Sequence, residues 1–107
     1  MVAEMLTRAG IKNRQNHFVR PPRETYAVWA DILSTDGADG MPPELFTHDV
    51  TIQLFEYELD PEAEAALEAE MDAAGLHWMK QYSGWSEIEQ THQVTYDFTY
   101  VTKQRRI

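Results

Sequence analysis

The sequence predicts an α+β domain: an antiparallel or mixed four-stranded sheet with two helices packed on one face, in the order α-β-β-α-β-β. Three observations carry this expectation. Between His48 and Glu58, Val50, Ile52 and Leu54 alternate with Asp49, Thr51 and Gln53, the period of two of a half-buried strand. Asp60-Pro61 then opens a helix that Gly75 closes, with Ala63, Leu67, Met71 and Ala74 on one stripe. Near the C-terminus, His92, Val94, Tyr96, Phe98 and Tyr100 alternate with Gln93, Thr95, Asp97 and Thr99.

The elements follow in chain order. Val2, Met5, Leu6 and Ala9 recur at helical spacing before Gly10, which predicts a short helix with a glycine stop. Ile11 to Arg23 is polar and basic and ends near Pro21-Pro22, which disfavours helix and sets up an extended approach to the next element. Thr25 to Leu33 is the first strand, with Tyr26, Val28, Ala30 and Ile32 on one face and Thr25, Ala27, Trp29 and Asp31 on the other. Ser34 to Pro43 holds two Asp-Gly pairs and two prolines, so it is a long loop between Thr25–Leu33 and Phe46–Glu58. After the helix come strands over Leu76–Tyr82 and Gln90–Thr102, with Ser83-Gly84 as the turn near their junction and Trp85–Glu89 leading into the last strand. The tail KQRRI is basic and expected to be loose.

Size and composition narrow the function classes. With 107 residues, 43% of them hydrophobic and 11% aromatic, the chain makes one domain spanning 1–107 with ample material for a core. It has no apolar run long enough to cross a membrane, and its first residues, with Glu4 among them, do not read as a signal peptide. The absence of cysteine excludes disulfides and thiolate catalysis, and is compatible with folding inside a cell. A formal net charge of −9 argues against tight binding of nucleic acid, which needs clustered Lys and Arg to displace counterions. Solubility is the plain account of that charge; a surface past which a polyanion slides without sticking is the functional one.

No constellation for catalysis stands out. His17, His48, His77 and His92 do not fall three or four residues apart, and Asp36 and Asp39 lack the further ligands of a calcium loop. The helix acids Glu62, Glu64, Glu68, Glu70 and Asp72 are expected to form a solvated face, with Glu62 favoured by the helix dipole. Phosphate-loop, nucleophile-elbow and zinc-protease signatures are absent. The expectation is therefore not an enzyme: no catalytic residue, no cofactor and no metal. Trp29, Trp78, Trp85 and five tyrosines are mostly core or strand-face residues, and some are available for a subunit contact.

The layout resembles the small tail-completion proteins of tailed phages and prophages, the tail terminators. The matching features are Leu6, Ala9, Gly10 and Ile11 ahead of Asn16-His17-Phe18, a Pro-Pro leading into Tyr26-Ala27-Val28-Trp29, and an Asp-rich loop with Gly37-Ala38-Asp39. The strand Val50–Tyr57 then runs into Asp60-Pro61-Glu62 and an alanine-rich helix, and Gln93–Tyr100 closes the pattern. The likeness spans nearly the whole chain and rests on order and texture, since each motif alone is weak; the segment after Ile11 is more basic than the family pattern. It implies an α+β subunit without cofactor or chemistry. Such subunits assemble into a ring, typically a hexamer, on the head-proximal end of the tail tube. There they meet the major tail tube protein and a head-completion or neck protein. The implied location is the virion tail, after assembly in the cytoplasm of a bacterial host. The family supplies no short interface motif. From the residues themselves, contacts are expected on the loop at Asp36, Met41 and Pro42 and on the basic segment at Arg14, Arg20 and Arg23, facing acidic neighbours. The competing readings are a head-closure, neck or minor capsid protein, and a small acidic inhibitor that mimics DNA. The acids cluster on one helix and do not march along strands at phosphate-like spacing, which weighs against the mimic.

Overall fold

In the computed structural model, residues 1–18, 20, 22–35 and 45–103 are described. The elements are α1 (Val2–Arg8), β1 (Lys12–Gln15), β2 (Tyr26–Thr35), β3 (Leu45–Glu56), α2 (Pro61–Ala73), β4 (Met79–Ser86) and β5 (Thr91–Lys103). The domain is α+β, as expected, but its sheet has five strands in the order β1-β2-β3-β5-β4. The expected four strands omitted β1, which pairs parallel to β2 with Lys12 opposite Tyr26 and Gln15 opposite Trp29; all other pairings are antiparallel. The correction has a simple cause. Lys12-Asn13-Arg14-Gln15 carries no apolar residue, so no alternation marks it, and three of its four residues are exposed. What makes it a strand is the backbone of β2 alongside, with the Asn16 amide also donating to the Trp29 carbonyl at 2.8 Å.

Both helices cover one sheet face. Val2, Met5 and Leu6 of α1 and Leu67 and Met71 of α2 share a buried cluster with Ala27, Val50, Ile52, Leu54, Val94, Tyr96 and Phe98. The strand residues in that cluster sit directly across from one another in register, Leu54 between Ala27 and Val94 and Val50 beside Phe98. The two helices end alike. Gly10 and Gly75 take φ of +78° and +72°, and the next amides, of Ile11 and Leu76, reach back to the carbonyls of Leu6 and Met71 at 2.9 and 3.0 Å. That is the glycine-stopped helix end in which a left-handed residue lets the following apolar side chain fold onto the core.

The start of α2 is equally well defined. Asp60 accepts the Ala63 amide at 3.1 Å through Oδ1, and its Oδ2 accepts the Thr25 hydroxyl at 2.5 Å, tying the helix to the start of β2. Asp60→Ala removes both bonds and should destabilise the domain by about 1–2 kcal/mol, near the upper range for a lost cap; a thermal-melt series with Asp60→Asn, which keeps the acceptor, would check it.

The opposite face has its own small aromatic cluster. Tyr26 stacks on Phe55 with ring centroids 4.8 Å apart, and Phe18 meets Tyr26 edge-on at 5.2 Å. Phe18, in the β1–β2 connection, therefore lies on this face. Beyond Val50 the sheet outgrows its helices. Ile32 and Leu33 point to opposite faces yet are 68% and 52% exposed, as are Leu45 and Val101 at 42% and 57%. Among the described residues, the ends of β2, β3 and β5 thus form a three-stranded extension with exposed apolar side chains on both faces. Within it His48 stacks on Tyr100, 4.3 Å between ring centroids, and bonds Asp31 and Thr102 through its two ring nitrogens at 2.9 and 2.8 Å.

Two further expectations are corrected. Ser83 and Gly84 lie inside β4, opposite Val94 and Gln93, and the reversal comes at Glu87–Gln90. β4 begins at Met79 and not at Leu76, whose side chain packs against the core just beyond α2. Residues 36–43 of the expected loop and the end of the basic tail, 104–107, lie outside the described residues; Ser34 and Thr35 belong to β2.

Candidate functional site

The expected interface arginines divide between two places. β1 is an open sheet edge, and beside it runs a groove of about 760 Å³ whose lining includes Thr7 of α1, Lys12 and Arg14 of β1, and Phe18, Arg20 and Pro22 of the connection. Arg14 and Arg20, with Phe18, also line a smaller recess that includes His17. Arg14 lies over the Phe18 ring, 5.5 Å from its centroid, and donates to the Asn13 carbonyl at 3.1 Å. Lys12 is bridged to Glu24 at 2.6 Å, whereas among the described residues no carboxylate pairs with Arg14 or Arg20. The groove is therefore basic at its rim and apolar in its floor, where Ile11 is buried. Arg23 stands elsewhere, in a small recess with Glu24, Tyr57, Glu58, Leu59 and Asp60. Asp36, Met41 and Pro42 lie outside the described residues.

Sequence reasoning missed a second polar assembly, half-buried between α2 and the β4 edge of the sheet. Glu64 and Glu68 do not belong to a solvated face. Lys80 of β4 bridges both, at 2.8 and 3.3 Å, and the Tyr96 hydroxyl donates to Glu68 at 2.6 Å. Glu56, at the end of β3, is fully buried. Its Oε1 accepts the Asp60 amide at 2.7 Å, while its Oε2 has no donor facing it. Glu64 stands beside that carboxyl, and two carboxylates can share a bond only if one keeps its proton. Burial, with Glu64 adding to it, pushes the Glu56 carboxyl up to about 7. Burial also acts to raise Glu64, but bonds from Lys80 and Glu56 outweigh it and hold that acid below the usual range. The bond to Glu64 in turn raises Lys80, and burial followed by Glu68 raises the Tyr96 phenol. The available signal was the spacing of Glu64 and Glu68, four apart and so on one helix face; nothing showed that this face met a lysine-bearing strand.

Chemically, this assembly joins α2 to the sheet, with its acids engaged by Lys80, the Tyr96 hydroxyl and the Asp60 amide. The groove is open and its charged groups are all cations, so it suits an anionic or acidic segment. Among the described residues no group of three or more His, Asp or Glu is placed to hold a metal ion, and no helix is long and apolar enough to cross a membrane. No family model matches the chain, and no curated protein is significantly similar to it.

Proposed function

We propose that this chain is a tail terminator of a phage or prophage, a subunit that closes into a ring on the head-proximal end of the tail tube and prepares that end for head joining. The observation that carries the proposal, beyond the order of elements in the sequence, is how much of the subunit is built for contact. The sheet ends in β1 at one edge and β4 at the other, and among the described residues its three-stranded extension leaves apolar side chains uncovered on both faces, Leu33 on one and Ile32, Leu45 and Val101 on the other. Free strand edges and uncovered apolar strands are ordinarily shielded in monomers. In this reading the partners are other copies of the chain, the tube protein and a head-completion or neck protein. The net charge of −9 per copy keeps a passing DNA from adhering to the channel. The DNA-mimic alternative loses support, because Glu64 and Glu68 are tied to Lys80 and are not free to imitate phosphates.

Electron microscopy of polymerising tail tube protein with and without this chain tests the proposal. The expected result is tubes of limited length with a ring at one end. Attachment to isolated heads or necks, with tube ends left bare, would transfer the assignment to head closure. Like charge opposes assembly, so ring formation should rise from low to moderate salt and fall again once interface ion pairs are screened; light scattering across a salt series gives that profile.

A further inference from the structure

The basic groove has a counterpart elsewhere on the same molecule. The β4–β5 turn reads Glu87-Ile88-Glu89-Gln90, and Ile88 at its tip is 94% exposed, the most exposed of the large apolar residues described. This tip is held in shape. The Ser86 hydroxyl accepts the Glu89 amide at 3.3 Å, the Gln90 side chain donates to the Glu87 carbonyl at 2.6 Å, and Gln90 itself takes a φ of +54°. An isoleucine displayed between two carboxylates on a preformed turn is a costly arrangement to expose and an inexpensive one to bind, because little ordering remains to be done.

We propose that the Glu87–Gln90 turn of one copy inserts into the β1-edge groove of the next, with Ile88 on the apolar floor by Ile11, Phe18 and Pro22 and the two glutamates on Arg14 and Arg20. Charge and shape both match: Arg14 and Arg20, which have no carboxylate partner among the described residues, beside apolar lining from Ile11, Phe18 and Pro22, and an apolar knob flanked by anions. The groove and the turn are separate surfaces of the subunit: the groove lies along the β1 edge, and the turn joins β4 to β5, with Glu89 near enough for its charge to bear on the Tyr26 phenol. Among the described residues neither Glu87 nor Glu89 forms an ion pair with Arg14 or Arg20 of the same copy. The contact is therefore head-to-tail, the kind that closes into a ring when the rotation permits. In naming the ring contact, this inference deepens the terminator reading and rests on it only for closure.

The chain has no cysteine, so disulfide trapping between copies is clean. Full-length Ile88→Cys protein is mixed with full-length Thr7→Cys protein under mild oxidation, and Thr99→Cys with Thr7→Cys serves as the control pair. The expected result is a covalent dimer from the first pair and none from the control. In parallel, Arg14→Glu with Arg20→Glu should weaken self-association roughly tenfold or more. Glu87→Arg with Glu89→Arg should do the same, and mixing the two reversed proteins should restore association. Multimers that form normally in the Arg14→Glu/Arg20→Glu and Ile88→Asp proteins, with no 88–7 crosslink, would overturn this contact and leave the ring reading standing; they would point instead to an acidic segment of another protein as the occupant of the groove. A crosslink in a protein that never exceeds a dimer and ignores tube ends would support the contact and defeat the ring. Absence of both crosslink and self-association overturns the inference outright.

Discussion

Leu67→Ala should lower the free energy of unfolding by about 2–5 kcal/mol, the usual loss for a fully buried leucine that leaves a cavity. Leu67 has no exposed surface and lies at the centre of the α2 stripe, over the strands that carry Ile52, Leu54, Val94 and Tyr96. Because α2 brings little else to the core besides Met71 and part of Ala63, its attachment to the sheet depends heavily on this residue. Denaturant unfolding is the measurement. A midpoint equal to that of the parent would mean that α2 does not pack through this stripe.

The second large effect depends on pH and belongs to Glu56. A carboxyl whose pKa in the fold lies above its ordinary value of 4.5, here at about 7, is a proton that the fold retains and the unfolded chain releases. Stability from this group is therefore full below pH 4.5, declines as pH rises toward about 7, and stays reduced above that. Glu64 works the other way: its lowered pKa contributes stability above the ordinary value, lost as pH falls through the folded one. Glu56→Gln keeps the acceptor for the Asp60 amide and gives Oε2's position a permanent donor toward Glu64. It should stabilise the protein at pH 8 by about 2–3 kcal/mol, the equivalent of the displaced titration, and change little at pH 4. Thermal melts of parent and variant at both pH values decide it; a gain of equal size at both would mean that the effect is packing and not ionisation.

These two residues mark what was legible in the sequence. Leu67 was, because a capped, proline-started and glycine-stopped segment with apolar residues at helical spacing has few alternatives. The alternation in β3 and β5 was legible for the same reason, since each strand buries one face. Glu56 was not: alternation puts it on the face of Val50, Ile52 and Leu54, but a carboxylate at the end of a strand ordinarily turns to water, and α2 folding back over this one is what keeps it in. Nor was β1, four polar residues recruited by a neighbour's backbone. The β4–β5 turn hid behind the wrong punctuation. Ser83-Gly84 looks like a turn, but Gly84 sits in the strand beneath the Tyr82 ring, where a Cβ would come within 2.6 Å of the Tyr82 hydroxyl. The real turn has neither glycine nor proline and is made by Gln90 at positive φ with two side-chain bonds. Of the expected interface, Arg14 and Arg20 converge on one groove and Arg23 does not. Spacing along a polar segment cannot foretell that division, because it depends on where the connection crosses the sheet.

Self-association is the claim on which the rest depends, and the native mass of the purified chain measures it most directly. Native mass spectrometry across concentration, at low and at moderate salt, should give monomer at low salt and dilution. A single larger species of fixed copy number should take over as concentration and salt rise, because a closed ring has a defined size and an open filament does not. A protein that remains monomeric at every concentration and salt, and still does not bind the ends of tail tubes, would contradict the account.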